Sequence, residues 1–234
     1  MSAVPPDFSS CEDPCAKAKK LSEAATDVSK TGAYSTAKTD IQTAAFNDGK
    51  EHGIGFGKDA YGNIITSTMS SGGSHDGTIP SVSGAFADLH NHPNNTAPSE
   101  GDLYSLLERN STNSSYNTRI IVTASGAVYA LVVYDQGQAA TFKSFFPPVN
   151  DPTYGPMFPN NLFNEYNEVK DRAKNIGGYD NLTADGMAMA YVLDKYYGGI
   201  ALLKQGTDGI FRKQNTVETT SAYGEITYVQ NNCN

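Results

Sequence analysis

The sequence predicts an α+β fold, a mostly antiparallel sheet flanked by helices with a C-terminal helical and hairpin extension. Three observations predict it. Apolar residues alternate in paired runs joined by short Gly-containing turns, helix-like segments stand between these runs, and a Pro- and Gly-rich stretch from Pro147 to Pro159 sets off the C-terminal third of the chain. At 234 residues the chain has room for one full domain and a sizeable appendage. We therefore expect an N-terminal linker and helix over residues 1–30, a catalytic domain over 31–146 and an extension over 147–234.

Pro14 to Lys30 has the Ala, Lys, Leu and Glu content of a helix, and Ala37 to Asp48 reads as a second, with Ile41, Ala44 and Ala45 on one side. Glu51 to Gly57 and Gly62 to Met69 form a predicted hairpin turned at Lys58-Asp59-Ala60-Tyr61. Ser70 to Ser83, rich in Gly and Ser, predicts a mobile loop. Gly84 to Leu89 is a short strand that delivers the chain to His90. Pro98 to Asp102 then starts a helix, with Ser99 as N-cap and Leu103, Leu106 and Leu107 behind it. Arg119 to Thr123 and Ala127 to Tyr134 alternate apolar residues on either side of Ala124-Ser125-Gly126 and predict two more strands. In the extension, Asn161 to Asn175 and Thr183 to Tyr197 read as helices, the second capped by Thr183. Ile200 to Leu203 and Gly209 to Arg212 read as a closing hairpin.

The net charge of −8 and pI near 4.9 exclude a general nucleic-acid footprint, which needs clustered Lys and Arg. No run approaches the ~20 apolar residues of a membrane helix, and Met1 to Ser10 lacks the parts of a signal peptide, so the chain reads as soluble. Val4-Pro5-Pro6-Asp7 reads as linker, and the start can be a processed boundary, which leaves the compartment open. The abundance of Ser, Thr, Asn, Gly and Tyr fits a secreted, surface or virion-associated protein. Cys11, Cys15 and Cys233 lie far from the histidines, and a bridge from Cys11 or Cys15 to Cys233 would tie the termini together in an oxidising compartment; free thiols in a reducing one are the alternative. The sequons at Asn94, Asn110, Asn113 and Asn181 read as chance matches in an Asn-rich chain.

The chemistry concentrates in one segment. His90 and His92, two apart in an extended chain, project to one side and can meet one metal. Pro93 stiffens the exit, and Asp102, on the first turn of the next helix, supplies an anionic third ligand. Two imidazoles and a carboxylate with a fourth position left to water make a catalytic rather than a structural zinc set. Glu51, opening a strand of the same sheet, is the candidate general base, and the Ser99 hydroxyl is the candidate donor to a developing oxyanion.

His90-Asn91-His92-Pro93 with Pro98-Ser99-Glu100-Gly101-Asp102, preceded by Glu51 about forty residues upstream, resembles the JAMM motif of the MPN metalloproteases, in wording closest to prokaryotic, phage-associated and RadC-like members. The resemblance implies an MPN-like (cytidine-deaminase-like) curved sheet, Zn2+ on His90, His92 and Asp102, Glu51 as base, Ser99 as oxyanion stabiliser, and cleavage of a peptide or isopeptide bond in a protein or peptide substrate. The partner would belong to a secreted or phage-like assembly. It covers about Lys50 to Tyr134. The loop from Pro93 to Pro98 is one residue shorter than in the usual motif, which bears on Ser99 more than on the metal.

Other polar residues read as bystanders. Glu100 and Asp88 are expected to be solvated, His52 and His75 to be surface or supporting groups, and Met187, Met189, Tyr191 and Tyr196-Tyr197 to be packing. Two competing functions remain. A catalytically inactive MPN-like scaffold would bind proteins through the same surface. A His-Asn-His nuclease would need widely spaced histidines and a basic surface, and the chain has neither.

Overall fold

The computed structural model describes residues 14–74 and 77–231. The N-terminal linker, His75 and the proposed pairing of Cys11, Cys15 and Cys233 lie outside the described residues or side chains. In chain order the elements are α1 (Pro14–Ser29), α2 (Gly32–Asp48), β1 (His52–Lys58), β2 (Ile64–Thr66), β3 (Ser70–Ser71), β4 (Ala87–His92), α3 (Glu100–Thr112), β5 (Thr118–Thr123) and β6 (Val128–Val133). They continue with α4 (Gln136–Phe145), β7 (Val149–Asp151), β8 (Gly155–Met157), α5 (Asn160–Asn175), α6 (Asn181–Lys195), β9 (Ile200–Gln205), β10 (Phe211–Lys213), β11 (Thr216–Thr220) and β12 (Ile226–Gln230).

The fold is α+β with a mixed, mostly antiparallel central sheet between helices. Its strand order is β10-β9-β6-β5-β4-β1-β2, with β3 also on β1, and β4–β5 is the parallel pair. The parallel contact arises because α3 carries the chain from the end of β4 back to the start of β5. Residues of β4 and β5 are buried throughout because helices cover both sheet faces. One face, with Phe56, Leu89, Ile120 and Leu203, packs on Tyr34, Ala37 and Ile41 of α2 and Ala25 of α1. The other, with Tyr129, Leu131 and Leu202, packs on Leu103 and Leu106 of α3, Phe142 of α4, Val169 of α5 and Met189 of α6.

Several local expectations need correction. Helix α2 begins well before Ala37 because the Thr31 side chain accepts the Tyr34 amide at 3.2 Å as N-cap. Helix α6 is capped by Asp180, whose carboxylate accepts the Thr183 amide at 2.8 Å, so Thr183 lies inside the helix. The end of the Gly- and Ser-rich stretch packs on the sheet: Gly53, Gly55 and Gly57 leave one face of β1 bare, and residues 79–83 lie on it. A Cβ at Gly57 would sit 2.0 Å from the Ser83 carbonyl oxygen, and one at Gly53 2.3 Å from Ile79 Cδ1. The Arg109 guanidinium donates to the Ile79 carbonyl at 2.8 Å, fixing the segment from the other side. Helix α4 and the β7–β8 and β11–β12 hairpins join the predicted elements. Strand β9 pairs with β6 from Tyr129↔Lys204 to Val133↔Ile200, so the central sheet continues across the Pro- and Gly-rich stretch. Among the described residues no helix is long and apolar enough to cross a membrane.

Candidate metal centre and groove

The period of strand β4 decides which residues meet. Leu89 and Ala87 point into the core beneath α2, while Asp88, His90 and His92 share the opposite face, toward α3. Helix α3 starts at that end of β4. Ser99 and Asp102 form a capping box: the Ser99 hydroxyl accepts the Asp102 amide at 3.2 Å, and the Asp102 carboxylate accepts the Ser99 amide at 2.7 Å. The cap turns the Asp102 carboxylate back over the two imidazoles. His90 Nε2 lies 2.8 Å from Asp102 Oδ1, His92 Nε2 3.2 Å from Asp102 Oδ2, and the two Nε2 atoms are 3.2 Å apart.

These spacings fit a metal. Tetrahedral ligands about 2.1 Å from one ion stand roughly 3.4 Å from each other, so the three groups need only spread slightly to hold one. Among the described residues this buried trio is the one His/Cys/Asp/Glu group able to hold a metal ion. Tautomers suit it too. His92 Nδ1 is 3.1 Å from the Thr96 carbonyl oxygen, so Nδ1 carries the proton and Nε2 keeps its lone pair. The short loop delivers Thr96 through a turn in which Asn95 takes a left-handed φ of 54°, which Asn tolerates, and accepts the Ser125 amide.

Without a metal the same atoms form an ion pair. Burial disfavours the His90 cation, but the Asp102 charge and hydrogen bond, with Asp88 behind, raise its pKa to about 9. Burial likewise opposes ionisation of Asp102, yet His90 and His92 hold its carboxyl well below the usual range. Asp88 is not solvated, contrary to the sequence expectation: it is fully buried, and its carboxylate takes Arg119 Nε at 3.1 Å and Nη2 at 2.9 Å and the Tyr116 hydroxyl. Burial pushes its pKa up, Arg119 and His90 outweigh that, and it settles at about 2. His90 Nδ1 is buried without a hydrogen bond, 3.8 Å from Asp88 Oδ1, and so faces a carboxylate as a metal-bound imidazole commonly does. Arg119 Nη1 also donates to the Asp102 carbonyl at 3.2 Å, tying the supporting pair to the third ligand.

Glu51 sits just before β1. Gly53 pairs with His90, so Glu51, two residues before Gly53, is on the face of the chain that His90 and His92 share. Its backbone bonds Gly72 and Gly73 at 2.8 Å each. Glu51, His90, His92, Ser99 and Asp102 all line one groove of about 580 Å3, which runs along α3 past Tyr104 to Glu108 and Lys143. Its far wall is the β7–β8 hairpin, which crosses the start of α3: a Cβ on Gly101 would lie 3.8 Å from the Pro156 carbonyl oxygen. A second cavity of about 380 Å3 opens on the other side of Tyr154 and Pro156, and it shares Glu51, His92 and Ser99. The Ser99 hydroxyl donates to Asp102 Oδ2 at 2.8 Å in this state.

Sequence reasoning brought together all five residues around this groove but missed Asp88, Asn91, Thr96, Tyr116 and Arg119. A signal existed for one of them, since Asp88-x-His90-x-His92 is a polar set at strand period that follows the apolar Ala85-Phe86-Ala87. His52 pairs with Asp48 at 2.9 Å, outside the ligand trio. Glu100 is half-buried rather than solvated, and burial raises its pKa. No protein-family model matches the chain, and no curated protein or solved structure matches it significantly, so the His90, His92 and Asp102 cluster, resembling a JAMM-like metal site, stands as the functional evidence.

Proposed function

We propose that this chain is a zinc-dependent hydrolase of the JAMM/MPN type that cleaves peptide or isopeptide bonds in a protein or peptide substrate. One observation carries the reading: the metal-competent trio lies in a groove that also holds a carboxylate and a hydroxyl not needed as ligands. His90, His92 and Asp102 would hold the ion, and two imidazoles with one carboxylate suit zinc. Bound zinc would supply Lewis acidity, lowering the pKa of a coordinated water to about 7. Glu51 then acts as the base, taking the proton of the attacking water and returning it to the leaving nitrogen. The Ser99 hydroxyl, turned from Asp102 toward the groove, donates to the oxyanion. Asp88 faces His90 and Arg119 binds both Asp88 and the backbone carbonyl of Asp102, which supports the ligand set before substrate arrives.

The test is hydrolysis of linear and isopeptide-linked substrates by zinc-loaded protein, compared with Glu51→Gln. The variant should keep its metal and lose activity by about 10²–10⁴-fold. Normal turnover by Glu51→Gln sinks the base assignment. A protein that takes no metal and binds partners unchanged would instead be an inactive scaffold.

A further inference from the structure

Asn91, between the two histidine ligands, is 3 % exposed and bonds outside its own strand. Its Oδ1 accepts the His52 amide at 2.7 Å, and its Nδ2 donates to the Lys50 carbonyl at 3.0 Å. One donor and one acceptor on the partner segment leave a single orientation for the amide. The register between β1 and β4 ends at Gly53↔His90. Where the next main-chain rungs would come, the Asn91 side chain stands between the strands and replaces them. On its other edge the segment continues the β1–β3 pairing, with Glu51 bonded to Gly72 and Gly73.

The two peptide groups that Asn91 binds are those flanking Glu51. Holding the residue before and the residue after fixes both the distance of the Glu51 backbone from β4 and its rotation about the chain. Strand β4 carries His90 and His92, so one side chain sets the spacing between the ligand strand and the residue on the neighbouring segment. We infer that Asn91 is a positioning residue that holds Glu51 at working distance from the metal ligands. This rests on the proposed hydrolase function. A catalytic group displaced by about 1 Å can lose on the order of 10²-fold in rate, so a clamp of this kind acts on turnover rather than on substrate affinity. Alternative residues cannot replace it readily. Ala removes both bonds, and Asp keeps the acceptor for His52 but puts an oxygen against the Lys50 carbonyl.

The experiment measures metal content, steady-state kinetics and amide hydrogen exchange at His52 in wild type, Asn91→Ala and Asn91→Asp. Asn91→Ala should bind zinc at wild-type stoichiometry and expose the His52 amide to at least tenfold faster exchange, with or without metal. Its kcat should drop at least tenfold at a KM within twofold of wild type. Asn91→Asp should keep the His52 amide protected yet lose at least threefold in kcat, which a purely structural loss would not produce. Unchanged kcat in both variants overturns the inference, as does loss of zinc, which would make Asn91 a support of the ligand strand. If wild type hydrolyses nothing, the hydrolase reading fails and the exchange data stand alone: unchanged His52 exchange in Asn91→Ala then removes the clamp as well, and faster exchange retains it.

Discussion

Removing Arg119 is the sharpest perturbation of the network beneath the candidate centre. Arg119→Leu deletes three contacts to the fully buried Asp88 carboxylate and the bond to the Asp102 carbonyl, and leaves Asp88 with the Tyr116 hydroxyl and the His90 imidazole 3.8 Å away. Stranding a buried charge costs about 3–5 kcal/mol. For a chain of this length that corresponds to a fall in Tm of about 10 °C. The sign with pH is set by Asp88. Its pKa, held at about 2 in the native protein, climbs once burial is no longer outweighed by the guanidinium. The folded variant then takes up a proton before the unfolded chain does, so its deficit shrinks as pH falls from 7 toward 5. Urea unfolding of metal-free protein at both pH values measures this, together with Asp88→Leu/Arg119→Leu, which buries no charge and should recover at least half the loss. A cost under about 1 kcal/mol at pH 7, or a double variant no better than the single, would refute the argument.

The same geometry predicts two more outcomes. Ser99→Ala removes both the N-cap of α3 and a hydrogen bond to Asp102, so it should cost about 1 kcal/mol by urea unfolding, with hydrolysis falling by more than the metal occupancy does. Metal-free protein should lose stability as pH rises from 6.5 through about 9, because His90 carries a raised pKa and its pairing with Asp102 is complete only below its unfolded value. The depressed pKa of Asp102 adds the acid side: that contribution is present above the ordinary carboxylate range and is lost as pH falls below it. Zinc-loaded protein should show a flatter alkaline limb, and identical limbs in the two forms would contradict the pairing.

Much of the site was legible because it depends on short-range rules. Strand period put His90 and His92 on one face, and a capping box placed Asp102 one helical turn from Ser99, which is local chemistry. Hairpins such as β5–β6 could be read from alternation and a Gly-containing turn. The features that escaped depend on contacts between distant segments. Glu51 to Gly57 read as one strand of a hairpin, and only the packing of residues 79–83 shows why side chains are excluded at Gly53, Gly55 and Gly57. Arg119 looked like the polar start of a strand, and its role arises from the parallel pairing that sets it beside Asp88. Helix α4 was hidden because Gly137 interrupts its first turn, and its start rests on the Asp135 cap. The pairing of β9 with β6 could not be read from either strand alone.

The central claim is that His90, His92 and Asp102 form a metal site. It is tested most directly by the zinc content of purified protein after metal loading and extensive dialysis, in wild type and in His90→Ala, His92→Ala and Asp102→Ala. Wild type should hold one zinc per chain and each variant well below half that, because every substitution leaves only two protein ligands. Zinc-free wild-type protein, or full occupancy retained in all three variants, would contradict it.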